Sequence, residues 1–320
     1  MLEQIWFKIH CGLKTFGIKA FLLFKKDAFP PENALIITGT GRSGTTWLSD
    51  IISSPPGFMA ILEPLHLSNQ YVKEVGFSWS PYLPPDAKRE DVVSMFRMIL
   101  SGKTANGFKT IDTHILKILG SKFFVFKFIR LNRLLPWLLN NFRLKYKPIL
   151  IIRHPCGVIY SQMMHPYFPP PPKISEDDKN LICEFFPHLT HYFDENREHI
   201  LRAISWALDN FIPMHFLNPD EFILVSYEKL VIDPVEEIAK IYKTWELKPH
   251  IDVFSRIKRK SKEARSWAEF EESGRKKLGV WKKYLTPIQI QEILDTVHRF
   301  GFIEFSDNIL PDFNLLSRRH

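Results

Sequence analysis

The residues best suited to chemistry lie in one stretch, Thr38-Gly39-Thr40-Gly41-Arg42-Ser43-Gly44-Thr45-Thr46-Trp47. Its glycines let backbone N–H groups close on an oxyanion, and a helix beginning just after Gly44 adds the positive end of its dipole. Four residues separate Gly39 from Gly44, as in the nucleotide-binding pattern G-x-x-x-x-G-K-[ST]. Thr45 stands where that pattern has its Lys and Thr46 where it has Ser or Thr. The nearest cation is Arg42, inside the turn. The stretch therefore predicts a cradle for one tetrahedral anion that is poorly matched to ATP or GTP hydrolysis.

A second anion site is written in Pro148-Ile149-Leu150-Ile151-Ile152-Arg153-His154-Pro155, followed by Ser161. Four apolar β-formers suit a buried parallel strand, and Pro155 suits the first turn of a helix. Ser161 falls about two helical turns past His154 and so faces back toward the strand end. Arg153 and Ser161 can then grip one phosphate from two sides. A third group follows the short apolar run Phe58–Leu62, which delivers Glu63. A carboxylate beside a bound anion is unfavourable unless it has a task or a cationic partner. It is a general base, the partner of a Lys, or the cap of a turn. His66 is the second candidate base, because imidazole titrates near neutrality. Lys127 and Arg130, at the end of the strand-like Lys122–Arg130, aim cations at the same crevice or else end a solvated strand.

Together these residues resemble the sulfotransferases that use 3′-phosphoadenosine 5′-phosphosulfate (PAPS). The stretch Thr38–Trp47 is similar to their 5′-phosphosulfate loop, and Arg153 with Ser161 to their 3′-phosphate motif, with His154 in place of the usual Asp or Asn. Arg42 in the loop, Glu63-Pro64-Leu65-His66 and the Lys-x-x-Arg of Lys127 and Arg130 resemble the carbohydrate branch, whereas Thr45-Thr46-Trp47 resembles the cytosolic branch. Tyr227-Glu228-Lys229-Leu230 is similar to the family's Tyr-Glu-Asp-Leu element, and Ser273–Lys282 to its C-terminal Arg-Lys-Gly…Gly-x-Trp-Lys segment, one residue short.

The resemblance implies sulfuryl transfer from PAPS to an acceptor hydroxyl, the acceptor being a small molecule, a glycan or a lipid. It implies that Arg42, Ser43, Gly44, Thr45, Thr46 and Trp47 hold the 5′ end. Arg153, Ser161, Arg275 and Lys276 would hold the 3′-phosphate, with Tyr227 near the adenine or simply in the core. Lys127 would stabilise the leaving group, and Glu63 or His66 would take the proton. No metal is implied, because side chains supply the positive charge. His114, in Lys109–His114, has the wrong spacing for the cytosolic branch's base.

These groups need elements to position them. The pattern predicts an α/β fold, a P-loop-kinase-like parallel sheet flanked by helices in three layers. Strands are expected at 34–38, 58–62, 122–130, 148–152 and 221–226, and helices at 46–54, 91–101, 201–216, 234–245 and 286–300. The catalytic domain is expected over 31–305, with a C-terminal tail at 306–320. Residues 162–199, with Pro169-Pro170-Pro171-Pro172, read as an insertion, either a lid over the acceptor or a surface excursion.

Composition narrows the alternatives. With 45% hydrophobic residues, 27 Phe and 8 Trp, the chain can bury a large core. A net charge of +8 favours an anionic partner. No basic tract with interleaved aromatics stands out apart from Arg256–Arg265, which argues against nucleic acid. Cys11, Cys156 and Cys183 lack metal-binding or disulfide spacing and suit a cytoplasmic setting. Residues 1–30 read as a basic amphipathic helix, interrupted by Lys8, Lys14 and Lys19, that packs on the domain or lies on an anionic membrane face. A P-loop-like ATP-dependent kinase and a non-catalytic anionic-ligand or membrane-surface binder remain the alternatives.

Overall fold

The computed structural model describes residues 29–104, 120–171, 173–257 and 278–318. Nearly all of the N-terminal segment, His114, the basic run beyond Ile257, Arg275 and Lys276 lie outside the described residues.

Strands β1 (Leu35–Thr38), β2 (Phe58–Leu62), β3 (Phe123–Phe128), β4 (Ile149–Ile152) and β5 (Ile223–Ser226) form one sheet in the order β2-β3-β1-β4-β5. Every pairing is parallel. The unbroken apolar runs explain this, since a parallel sheet is covered on both faces. Alternation along the strands divides the core. Leu35, Ile37, Ile149 and Ile151 pack with Leu48 and Ile51 of helix α1 (Thr45–Ile52). Ile36, Phe124, Phe126 and Leu150 face the other way, toward Phe96 and Ile99 of α2 (Glu90–Leu100). Ile152 joins a third cluster with α3 (Pro155–Met163), α4 (Glu176–Phe185), α5 (Glu198–Phe216) and α6 (Pro287–Arg299). The result is a three-layer α/β fold.

Most boundaries fall where the sequence placed them, and two differences have local causes. β3 ends at Phe128 because the next N–H, of Ile129, turns to the Glu63 carboxylate at 3.3 Å. The Tyr-Glu-x-Leu element is a helix, Tyr227–Ile232, because the Ser226 hydroxyl caps it by accepting from the Lys229 N–H.

The segment 162–199 is split in character. Its second half contains α4, which opens with a capping box between Ser175 and Asp178, and it buries Leu181, Ile182, Phe186, Leu189 and Tyr192 with Trp206 of α5. One ionic network pins this half down. The Arg133 guanidinium, 2% exposed, contacts the Asp178 carboxylate and donates to Asp209 of α5 at 2.7 Å. Such a pair is costly to bury but fixes which elements meet. The first half, Phe168–Pro170, runs past the glycine turn.

Candidate active site

The turn after β1 is shaped by residues that tolerate unusual backbone. A Cβ on Gly39 would sit 2.5 Å from the Ile151 carbonyl oxygen, so only glycine lets β1 and β4 approach there. Arg42 (φ 79°) and Gly44 (φ 96°) are left-handed, which is a strained state for Arg42. The curl leaves the N-terminus of α1, an eight-residue helix, open at the mouth of the turn. The Ser43 hydroxyl is buried with no hydrogen-bond partner among the described residues. A buried hydroxyl beside a helix N-terminus is what a bound phosphate oxygen would satisfy, so the cradle fits its implied ligand.

The second candidate anion site touches the first. Arg153 donates from Nη1 to the Arg42 carbonyl at 2.9 Å, and Arg42 Nε donates to the Ser161 hydroxyl at 3.1 Å. Arg153 and Ser161 therefore both contact Arg42, with the Ser161 hydroxyl turned to the loop. The Arg153 guanidinium also lies 4.5 Å over the Tyr227 ring. That ring packs on Gly44, where a Cβ would come within 2.4 Å of it, and stands edge-on to Trp47 at 6.2 Å. Trp47, Tyr227 and Arg153 thus form one cluster of aromatic rings and a cation beside the turn.

His154 fastens this cluster to the C-terminal region. Its backbone N–H donates to the buried Glu228 carboxylate at 2.9 Å, and its Nε2 lies 2.9 Å from the Ser306 carbonyl oxygen, where it must donate. The ring stacks on Trp281 at 4.8 Å. Burial pushes the His154 pKa down to about 4. Unfolding restores an ordinary value near 6.5. The unfolded chain then binds a proton that the folded one refuses, and stability falls as pH drops through that window, by about 3 kcal/mol in full. Chemical denaturation between pH 7 and 4 should show this slope, and His154→Asn should flatten it. An equal slope in both proteins would remove His154 as its source.

Glu63 sits just past β2 with φ 49°, held there by its N–H donating to the Lys127 carbonyl at 2.8 Å. Its carboxylate meets Lys127 Nζ at 2.7 Å, Arg130 Nη1 at 3.4 Å and the Ile129 N–H. Both cations are almost fully buried, and the Arg130 guanidinium covers Trp79 at 3.8 Å. The carboxylate has the cationic partners that its position requires, and it keeps the only charge of its sign in that contact set. His66 is engaged differently. Its Nδ1 accepts the Ser68 N–H at 3.1 Å and lies 2.8 Å from the Ser68 hydroxyl. An accepting Nδ1 puts the proton of the neutral ring on Nε2.

Several residues at the site were not singled out from the sequence. Gln162 donates from Nε2 to the Gly41 carbonyl at 2.9 Å, and Arg202 donates to Gln162 Oε1 at 3.3 Å. Arg202 and Asp209 share the inner face of α5 with Trp206. Charged residues at i and i+7 on an apolar helix face were the available signal. Among the described residues, no group of three or more His, Cys, Asp or Glu is placed to hold a metal ion, and no helix is long and apolar enough to cross a membrane.

Comparison with known proteins matches residues 32–300 to the model of the sulfotransferase domain family. The curated proteins give no match. Among solved structures, the chain is similar to the sulfotransferase domain of the Synechococcus PCC 7002 olefin synthase (15% identity, 86% of this chain and 97% of that chain covered, TM-score 0.47). It is also similar to a mouse sulfotransferase complexed with PAP (16%, 93% and 94%, 0.43) and to a sulfotransferase from Mycobacterium tuberculosis H37Rv (10%, 89% and 81%, 0.45).

Proposed function

The chain belongs to the sulfotransferase domain family, and from that premise we propose that it transfers a sulfuryl group from PAPS to a hydroxyl of a carbohydrate or glycolipid acceptor. The observation that carries this reading is the double tie on Arg42, whose side chain reaches Ser161 and whose carbonyl receives Arg153. Two anion sites that share one residue suit a nucleotide with phosphates at both ends of its ribose.

In the reaction the acceptor oxygen bonds to sulfur, and the bond from sulfur to the 5′-phosphate oxygen breaks. The sulfate ester and 3′,5′-bisphosphoadenosine (PAP) leave. Ser43, Thr45, Thr46 and the first amides of α1 hold the 5′-phosphate and stabilise charge that develops there. Lys127 moves positive charge toward the leaving oxygen. Glu63 takes the acceptor proton as it departs. Trp47 and Tyr227 flank the adenine, and Arg153 and Ser161 hold the 3′-phosphate, joined by Arg275 and Lys276. The contact set of Glu63, Lys127 and Arg130 supports a carbohydrate-type arrangement of the base.

A thermal-shift series tests the donor. PAP should raise the melting temperature well above any shift given by ATP with Mg²⁺ at equal concentration. The reverse order would point to the kinase reading.

A further inference from the structure

The glycine turn has a second side. Away from Arg153 and Tyr227, a cavity opens on Thr40 and Gly41 and is walled by Trp79, Phe168, Arg202 and Asp209. We propose that this cavity selects the acceptor, and that it selects a neutral hydroxylated ring, of the saccharide or cyclitol kind, over charged glycans, phenols and alkyl alcohols. The inference rests on the donor assignment above, because it takes the turn as the place where sulfur is presented.

Three observations carry it. First, the cavity borders the reacting groups. Ile129, which also lines it, donates its N–H to the Glu63 carboxylate, and Trp79 carries Arg130, the second cation on Glu63.

Second, the wall is ionic in composition but offers no spare charge. Asp209 is paired with Arg133 at 2.7 Å, and Arg202 binds Glu198 at 2.7 Å and 2.9 Å. A carboxylate or sulfate entering here would lose its water without gaining a counter-ion.

Third, the remaining lining mixes aromatic surface with dipoles. Trp79 and Phe168 meet edge to face at 6.3 Å, while the Ser80 and Ser205 hydroxyls contribute hydrogen-bonding atoms. An alkyl chain or a naphthol would cover those polar atoms without pairing them, and a site built to pair hydroxyls rejects ligands that lack them. A ring with apolar C–H faces and hydroxyls around its rim matches both features.

The Phe168–Pro170 strap sets the size of this space. Arg202 donates from Nη2 to the Pro169 carbonyl at 3.1 Å, and Gln162 bridges Arg202 to Gly41. The Phe168 ring lies so close to Gly41 that a Cβ there would be 3.0 Å from it. Arg202 is thus a positioning residue that holds the strap against the turn.

The test uses the full chain with PAPS and four acceptors: methyl glucoside, methyl glucuronide, octanol and 2-naphthol. Sulfate transfer is read by mass, and PAP binding is read separately by calorimetry. The glucoside should have the highest kcat/KM, by at least about tenfold. Phe168→Ala should raise KM for the glucoside while leaving kcat and PAP affinity unchanged, and Phe168→Tyr should restore most of it. If PAP does not bind, the donor assignment fails. If PAP binds but another acceptor is preferred, none is sulfated, or KM ignores Phe168, this proposal is overturned and the donor assignment stands.

Discussion

Arg153→Ala should weaken PAP binding by about two orders of magnitude, while adenosine 5′-phosphosulfate, which has no 3′-phosphate, loses little. A guanidinium gripping a phosphate supplies charge-assisted bonds of about 3 kcal/mol in total, which is a factor of about 100. Arg153 also holds the Arg42 carbonyl, so part of any loss belongs to the turn rather than to the phosphate. The two nucleotides separate these contributions by calorimetry. Equal losses for both would mean that Arg153 acts through the turn alone, and the 3′-phosphate would need another partner.

Glu63→Gln should lower kcat by roughly 10² to 10⁴, the usual worth of a positioned general base, with PAP affinity nearly unchanged. Gln can still accept the Ile129 N–H, so the local backbone has a reason to stay in place. What it cannot do is take a proton or balance Lys127 and Arg130. Two buried cations that lose their shared carboxylate also destabilise the fold, so a lower melting temperature should accompany the lost turnover. Retained PAP binding shows that the variant is folded. Wild-type turnover in that variant would transfer the proton to His66 or another group.

The parts of this molecule that follow from local rules were legible in the sequence. Apolar runs of four to six residues gave five strands because a parallel sheet buries both faces. Thr38–Trp47 announced the tight turn and the helix after it, because glycine spacing and a helix start are both short-range features. Pro155 opened its helix, and Ser161 reached the loop two turns later.

What was hidden depends on distant partners. Nothing near Gly39 announces that the Ile151 carbonyl will lie against it. Glu63 could be weighed as a base or as a Lys partner, but that Lys127 and Arg130 both reach it follows only from β2 pairing with β3. The 162–199 stretch read as an insertion, a lid or a surface excursion, because its prolines dominate its character. Its later half is core, since Arg133, far upstream and unremarkable in sequence, draws Asp178 inward. Where local and tertiary demands coincide, pattern suffices; where they do not, the partner must be seen.

The place of β1 in the sheet has a consequence for how the protein is made. Leu35 pairs with Val125 and Ile37 with Ile149, so the first of the described strands to be synthesised is the middle one and waits longest for its neighbours. Until residue 149 has been synthesised, a strand that ends fully buried keeps one or both of its edges open. Such high contact order slows folding and exposes a sticky template during translation. Nascent chains should therefore lean on holdase chaperones, and truncation before β4 should yield insoluble product rather than a smaller folded unit.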